Sequence, residues 1–235
     1  MNIKDSIVLV TGANRGLGLA YAQAFLAAGA AKVYAGSRVL SAVQAPGLIP
    51  VKLDVNNADD VAAAVKQCAD VTIVINNAGQ AQSDTLISPT GADTLRNLMD
   101  TNLYGVLRVS QAFAPVLKAN GGGALVNMLS VLSWLNFPGV AAYSVSKAAA
   151  WSLTNGLRNE LRGQGTLVLG VHAGFIDTDM ARHVDGPKVR PQDVAQRVIE
   201  ALEAGREEVL ADGLSRQVKS DLGSDVPVYV REFGK

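Results

Sequence analysis

Cysteine is almost missing from this chain: Cys68 is the single thiol. With no partner for an internal disulfide, the small stapled folds of secreted proteins are excluded, and a reducing, cytoplasmic setting is expected. Histidine is nearly as scarce, and no grouping of histidine, cysteine and carboxylate has the spacing of metal ligands. Neither sign of charge is in excess, since 21 lysines and arginines balance 21 aspartates and glutamates. Such a chain has no basic excess to draw it to nucleic acid or to an anionic membrane, so the expected partners are small molecules and further copies of itself. Long apolar runs are missing too. The run in MNIKDSIVLVTG stops at Thr11 and Gly12, too short for a membrane span and without a cleavage-site pattern, and it reads as a first strand.

What is present is a long alternation. Hydrophobic residues make up 49% of the 235 positions against 18% charged, enough for one large domain over residues 1–235. Short apolar runs at 7–10, 32–36, 50–54, 71–75, 124–129, 166–171 and 207–211 are separated by longer amphipathic or alanine-rich stretches at about 15–28, 58–68, 91–118, 142–162 and 191–204. Strands alternating with helices of this length predict an α/β fold: a doubly wound, Rossmann-like parallel sheet of about seven strands with helices on both faces. The stretch at about 180–191 follows a strand end, where ligands bind in such sheets, and is a candidate lid. After about 212 the pattern weakens into a helix or loop and an extended tail running to 235.

The first strand leads into TGANRGLG and then a helix of small and apolar residues. Unpaired backbone N–H groups and the helix dipole make such a junction a site for a pyrophosphate, which the glycines let approach. Contacts to a dinucleotide are therefore expected from Gly12, Asn14, Arg15, Gly16, Leu17 and Gly18. The end of the second strand identifies which dinucleotide. It carries Ser37 and Arg38 where an acidic residue would hold the ribose hydroxyls of NAD. A guanidinium pairs with a ribose phosphate, and Arg15 reaches the same side, so NADP(H) is the expected cofactor. The plainer alternative is that both arginines are solvated surface residues.

AAYSVSKAAA, residues 141–150, places Tyr143 and Lys147 four residues apart among small side chains. On a helix the two heads share one face, open to something large. Together with TGANRGLG, NNAG at 76–79, Asn102 and Ser130, the order and spacing of this pair resemble the compact short-chain dehydrogenase/reductase family over about the first 180 residues. That resemblance implies an NADPH-dependent oxidoreductase interconverting a ketone or aldehyde and an alcohol, as a homo-tetramer or homo-dimer formed through the long helices.

Hydride transfer to a carbonyl places negative charge on oxygen, and the site needs a proton donor and further hydrogen-bond donors there. Tyr143 is the natural acid, and Lys147, as a cation one turn away, is expected to lower its pKa. The resemblance further implies that Lys147 holds the nicotinamide ribose and that Ser130 bonds the substrate oxygen, with Ser133 its nearest competitor. Asn102 matches an asparagine that kinks a helix and relays protons through water; the alternative is an asparagine bonded only to backbone. Asn76, Ala78 and Gly79 match the wall beside the adenosine. Asp54 and Val55 match a pair at the adenine, against the alternative of a simple turn aspartate. Gly174, Ile176 and Thr178 match the segment beside the nicotinamide amide and phosphates, although Ala173 stands where the family has proline. His172 and His183 are read as non-catalytic. Trp134, Leu135, Phe137, Pro138, Val140, Phe175 and Met180 predict an apolar substrate pocket, unless they serve as core or as a subunit contact. Two other readings share the fold: a non-catalytic NADP(H) sensor or scaffold, and a nucleotide-sugar epimerase or dehydratase, for which 235 residues leave little room.

Overall fold

The inner apolar runs become strands because they can be buried on both faces, and the edge runs at 50–54 and 207–211 add to them with one face more open. In the computed structural model, which describes residues 1–231, β1 (Ile7–Thr11), β2 (Lys32–Ser37), β3 (Ile49–Lys52), β4 (Ile73–Asn76), β5 (Ala124–Met128), β6 (Leu167–His172) and β7 (Glu208–Leu210) form one all-parallel sheet. Its order is β3-β2-β1-β4-β5-β6-β7.

The period of two along each strand divides the core. Val8 and Val10 of β1, Ile73 and Ile75 of β4 and Val126 of β5 face α1 (Gly16–Ala27) and α6 (Pro191–Glu203), meeting Tyr21, Phe25, Val194 and Val198. Leu9, Val74, Leu125 and Val168 point the other way. They pack on α2 (Ala58–Gln67), α4 (Val106–Ala119) and α5 (Ala141–Arg162) through Val61, Phe113, Leu117, Leu157 and Leu161. Winding reverses between β1 and β4, which opens a crevice at the carboxyl ends of these two strands.

Buried polar groups tie the second layer to the sheet. Asn76 Nδ2 donates to Ser110 Oγ on α4 at 3.1 Å and to Asn127 Oδ1 on β5 at 2.9 Å, and Asn127 Nδ2 donates to Thr154 Oγ1 on α5 at 3.0 Å.

One reading needs correction. The helix expected over 91–118 is α3 (Gly91–Met99) and α4 joined by a π-helical segment, Asp100–Gly105, which contains the fully buried Asn102. Such segments persist where side chains supply bonds that the ladder loses. Here Thr101 Oγ1 receives Asn56 Nδ2 at 2.9 Å and Gln80 Nε2 at 2.6 Å. Of the helix or loop expected beyond 212, the structure forms the helix, α7 (Gly213–Asp221), capped by Asp212, whose Oδ1 accepts from Ser215 N at 2.7 Å. Val218 of α7, with Leu214 and Leu222, packs on Trp134, Leu135 and Val131 in a third apolar cluster. A 3-10 turn follows at Val228–Val230, and the part of the expected tail at 232–235 lies outside the described residues.

Candidate active site

The glycine turn is built around one contact. Gly12 has φ +67, and a Cβ on Gly18 would lie 2.1 Å from Gly12 O. The α1 N-terminus thus meets the turn backbone at a distance that no side chain permits, leaving a cradle shaped for a bulky anion against bare N–H groups. Thr11 anchors the cradle to the neighbouring strand. Its Oγ1 accepts from Asn77 N at 3.0 Å and Ala78 N at 2.9 Å, while Asn77 Nδ2 returns a bond to Thr11 O at 3.0 Å. Sequence reasoning missed Thr11 and Asn77 as positioning residues, although both lie inside the motifs it quoted.

Asn14, Arg15 and Gly16 line the outer side of the turn, and Leu17 is buried behind it. Thr178 covers it from the β6 side, and Arg15 reaches Asp179 at 3.0 Å in an exposed pair. At the end of β2, Ser37 is buried and accepts from Val39 N at 3.3 Å; Arg38 is exposed with no ion pair among the described residues. Asp54 Oδ1 accepts from Asn56 N at 3.0 Å, the turn role of the plainer reading, and Val55 is buried. Asn76 sends its side-chain amide into the internal network of Ser110 and Asn127.

The second half of the site gathers on α5 and the end of β5. Tyr143 and Lys147 lie on successive turns, and the Ser130 side chain lies close enough to the Tyr143 hydroxyl to act on its pKa. Ser133 is engaged elsewhere: its Oγ accepts from Ser130 N at 3.3 Å, while Ser130 Oγ accepts from Leu132 N at 3.1 Å. Lys147 Nζ donates to Met128 O at 2.8 Å and lies 5.8 Å from the centre of the Tyr143 ring. Gly79 separates Lys147 from Asn102, since a Cβ there would stand 3.3 Å from Asn102 Oδ1 and 3.7 Å from Lys147 Nζ. Asn102 grips the Gln80 backbone at both ends, accepting from its N–H at 2.8 Å and donating to its carbonyl at 2.9 Å, and donates to Ser146 Oγ at 2.9 Å. Its bonds thus go to backbone and to one neighbouring side chain.

The expectation that Lys147 lowers the Tyr143 pKa is not met. Burial pushes the phenol up to about 12, against a smaller downward pull from the Ser130 side chain, and burial pushes Lys147 down to about 8. Desolvation disfavours both ions, and the ammonium turns toward Met128 O rather than toward the ring. Tyr143 is therefore held as the neutral phenol.

The β6 exit closes the site. Ala173 O accepts from Val131 N at 2.8 Å, so the strand end keeps its register with alanine in place of proline. Gly174 N donates to Asp212 Oδ2 at 2.6 Å, which fastens this segment to the N-cap of α7. Ile176 pairs with Val189 in a parallel bridge, so the expected lid returns to the strand end and is anchored there. Phe175 and Met180 are exposed beside it. Trp134 and Leu135, by contrast, are buried in the third apolar cluster and serve as core.

Among the described residues no cluster of histidine, cysteine or carboxylate could hold a metal, and no helix is long and apolar enough to cross a membrane. The family model described as short chain dehydrogenase matches residues 6–188. A short chain dehydrogenase from Burkholderia cenocepacia J2315, solved in complex with NADP, superposes with a TM-score of 0.91 at 38% identity, covering 96% of this chain and 95% of that one. A 3-oxoacyl-[acyl-carrier-protein] reductase from Synechocystis is 32% identical over 196 residues, 78% of this chain and 79% of the relative. An uncharacterized oxidoreductase from Staphylococcus aureus strain USA300 is 31% identical over 213 residues, 85% and 92% of the two chains.

Proposed function

Because the chain belongs to the short-chain dehydrogenase/reductase family, we propose that it is an NADP(H)-dependent oxidoreductase that interconverts an apolar ketone or aldehyde and its alcohol, with Tyr143 as general acid and base. One observation carries the reading: the Ser130 side chain and the Tyr143 hydroxyl adjoin each other, backed by the buried Lys147, at the crevice that the glycine turn opens.

When bound, the nicotinamide supplies or accepts the hydride. The chain's own groups do the rest. The cradle at Gly12, Gly16 and Gly18 takes the pyrophosphate, and the exposed Arg38 takes the ribose phosphate in charge-assisted bonds. The carbonyl oxygen sits between Ser130 Oγ and Tyr143 Oη, both able to donate as charge builds on it. The Tyr143 proton moves to that oxygen in reduction and returns in oxidation. Lys147, whose ammonium donates to Met128 O, holds the nicotinamide ribose hydroxyls when the cofactor is bound. Phe175 and Met180, exposed at the mouth, favour an apolar substrate.

The test is loss of NADPH absorbance with a panel of aryl and alkyl ketones and aldehydes, set against aldoses and against NADH. Turnover of the apolar carbonyls with NADPH is expected, and Arg38→Asp should cost about 10- to 100-fold in NADPH affinity while sparing NADH. No turnover anywhere on the panel overturns the proposal; preference for aldoses overturns its substrate class.

The assembly we propose is a homo-dimer or homo-tetramer. Leu86 and Ile87, just ahead of α3, and Tyr104 in the π segment expose apolar surface for it. Light scattering should return two or four times 24.5 kDa, and a value of 24.5 kDa would reject the assembly.

A further inference from the structure

His172 is a buried titratable group that the mechanism above does not use. It ends β6, its Nδ1 lies 3.1 Å from Ser130 O, and its ring stacks on Trp134 at 3.8 Å between centroids and 18° between planes. A carbonyl oxygen only accepts, so Nδ1 carries the proton and the imidazole donates. The same peptide is held from its other side, because Val131 N donates to Ala173 O at 2.8 Å. Consecutive residues of the β6 exit thus grip both polar atoms of one peptide plane, the one that leaves Ser130. That plane sets ψ of Ser130, 159°, and with it the course of the backbone from which Oγ projects toward Tyr143.

The stack extends beyond His172. Lys219 Nζ of α7 lies 5.0 Å from the centre of the Trp134 ring and is paired at 2.9 Å with Glu208, whose carboxylate stands 3.9 Å from His172 Nε2. An imidazole, an indole and an ammonium therefore link the C-terminal helix to the turn that bears Ser130. Apolar packing alone needs no N–H at position 172. A donor facing the carbonyl of the serine is a feature aimed at orientation.

We infer that His172 is a positioning residue for the reaction: its Nδ1–H, with the Ala173 carbonyl, fixes the Ser130–Val131 peptide so that the Ser130 hydroxyl is held toward Tyr143 and the substrate oxygen. This rests on the role proposed for Ser130. A misplacement of about an ångström at such a group is worth on the order of a hundredfold in rate.

The test is a double-mutant cycle on the full chain with NADPH and 4-nitrobenzaldehyde, whose electron-poor carbonyl accepts hydride readily. His172→Phe keeps a ring for Trp134 and removes the donor. It should lower kcat at least tenfold with KM and NADPH affinity within about twofold, and His172→Asn, which restores an N–H near the same point, should recover most of the loss. On a Ser130→Ala background, His172→Phe should cost little more, because its effect passes through the serine. Additive losses, or a His172→Phe kcat within twofold of wild type, overturn the inference while leaving the proposed function standing. If Ser130→Ala itself changes kcat less than twofold, the role of Ser130 fails and this inference with it; a wild type inert toward every panel carbonyl removes both. Should His172→Phe not fold, the smaller His172→Leu replaces it in the cycle.

Discussion

Replacing Tyr143 with phenylalanine is expected to lower kcat for carbonyl reduction by about 10³-fold, within the range of 10² to 10⁴ that a positioned general acid contributes. The substitution removes one oxygen. The ring keeps its place against the third apolar cluster, and the α5 backbone does not change. NADPH affinity and KM should stay within about threefold, so the loss falls on the chemical step. Because burial holds the phenol up at about 12, wild-type Tyr143 is protonated throughout neutral pH and ready to donate. Steady-state NADPH oxidation with stopped-flow binding in parallel separates the outcomes. A kcat within tenfold of wild type would remove Tyr143 from the acid role.

Lys147→Met is expected to abolish turnover, lowering kcat/KM by at least 10²-fold, and at the same time to stabilise the nucleotide-free protein. The lysine is 6% exposed, and burial lowers its pKa from 10.5 to about 8. A folded-state pKa below the unfolded one means that the native protein binds fewer protons between those two values. Wild-type stability therefore rises with pH from about 8 to 10.5, and below pH 8 the fold carries the whole cost of a desolvated ammonium, on the order of 3 kcal/mol. Methionine has similar length and no charge. It leaves Met128 O without its donor, which returns about 1 kcal/mol of the gain, so a net stabilisation of about 1–3 kcal/mol is expected near pH 7. The difference should shrink by pH 10. Urea melts of both proteins at the two pH values test it, and a variant less stable than wild type at pH 7 would show that the Met128 bond outweighs desolvation. A group that costs stability yet carries function is the usual signature of an active site.

The features legible in the sequence were those encoded over short spans. Seven apolar runs became the seven strands in a single sheet, because the inner strands, buried on both faces, must be apolar throughout, while the edge strands β3 and β7 carry enough apolar residues to be read with them. Tyr143 and Lys147 share a face because four residues make about one helical turn. What escaped is through-space. The destination of the Lys147 ammonium depends on where β5 ends, at Met128, and no spacing along α5 reveals it. His172 and Trp134 are 38 positions apart and meet only through the β5–β6 register. The π segment at Asn102 continues the helix direction on either side, so amphipathic periodicity passes through it almost unmarked. In α7 only Leu214 and Val218 are apolar within GLSRQVKSD, too thin a stripe to mark a helix that nonetheless covers Trp134.

The clamp between Gly174 N and Asp212 Oδ2 has a consequence for how the polypeptide divides. Every recognisable motif lies upstream of residue 180, and a fragment ending at 205 would carry all of them. It would still lack β7, the carboxylate that tethers the β6 exit and the lysine seated on Trp134. The stretch that keeps these contacts is thus longer than the stretch that carries the motifs, and it reaches through α7.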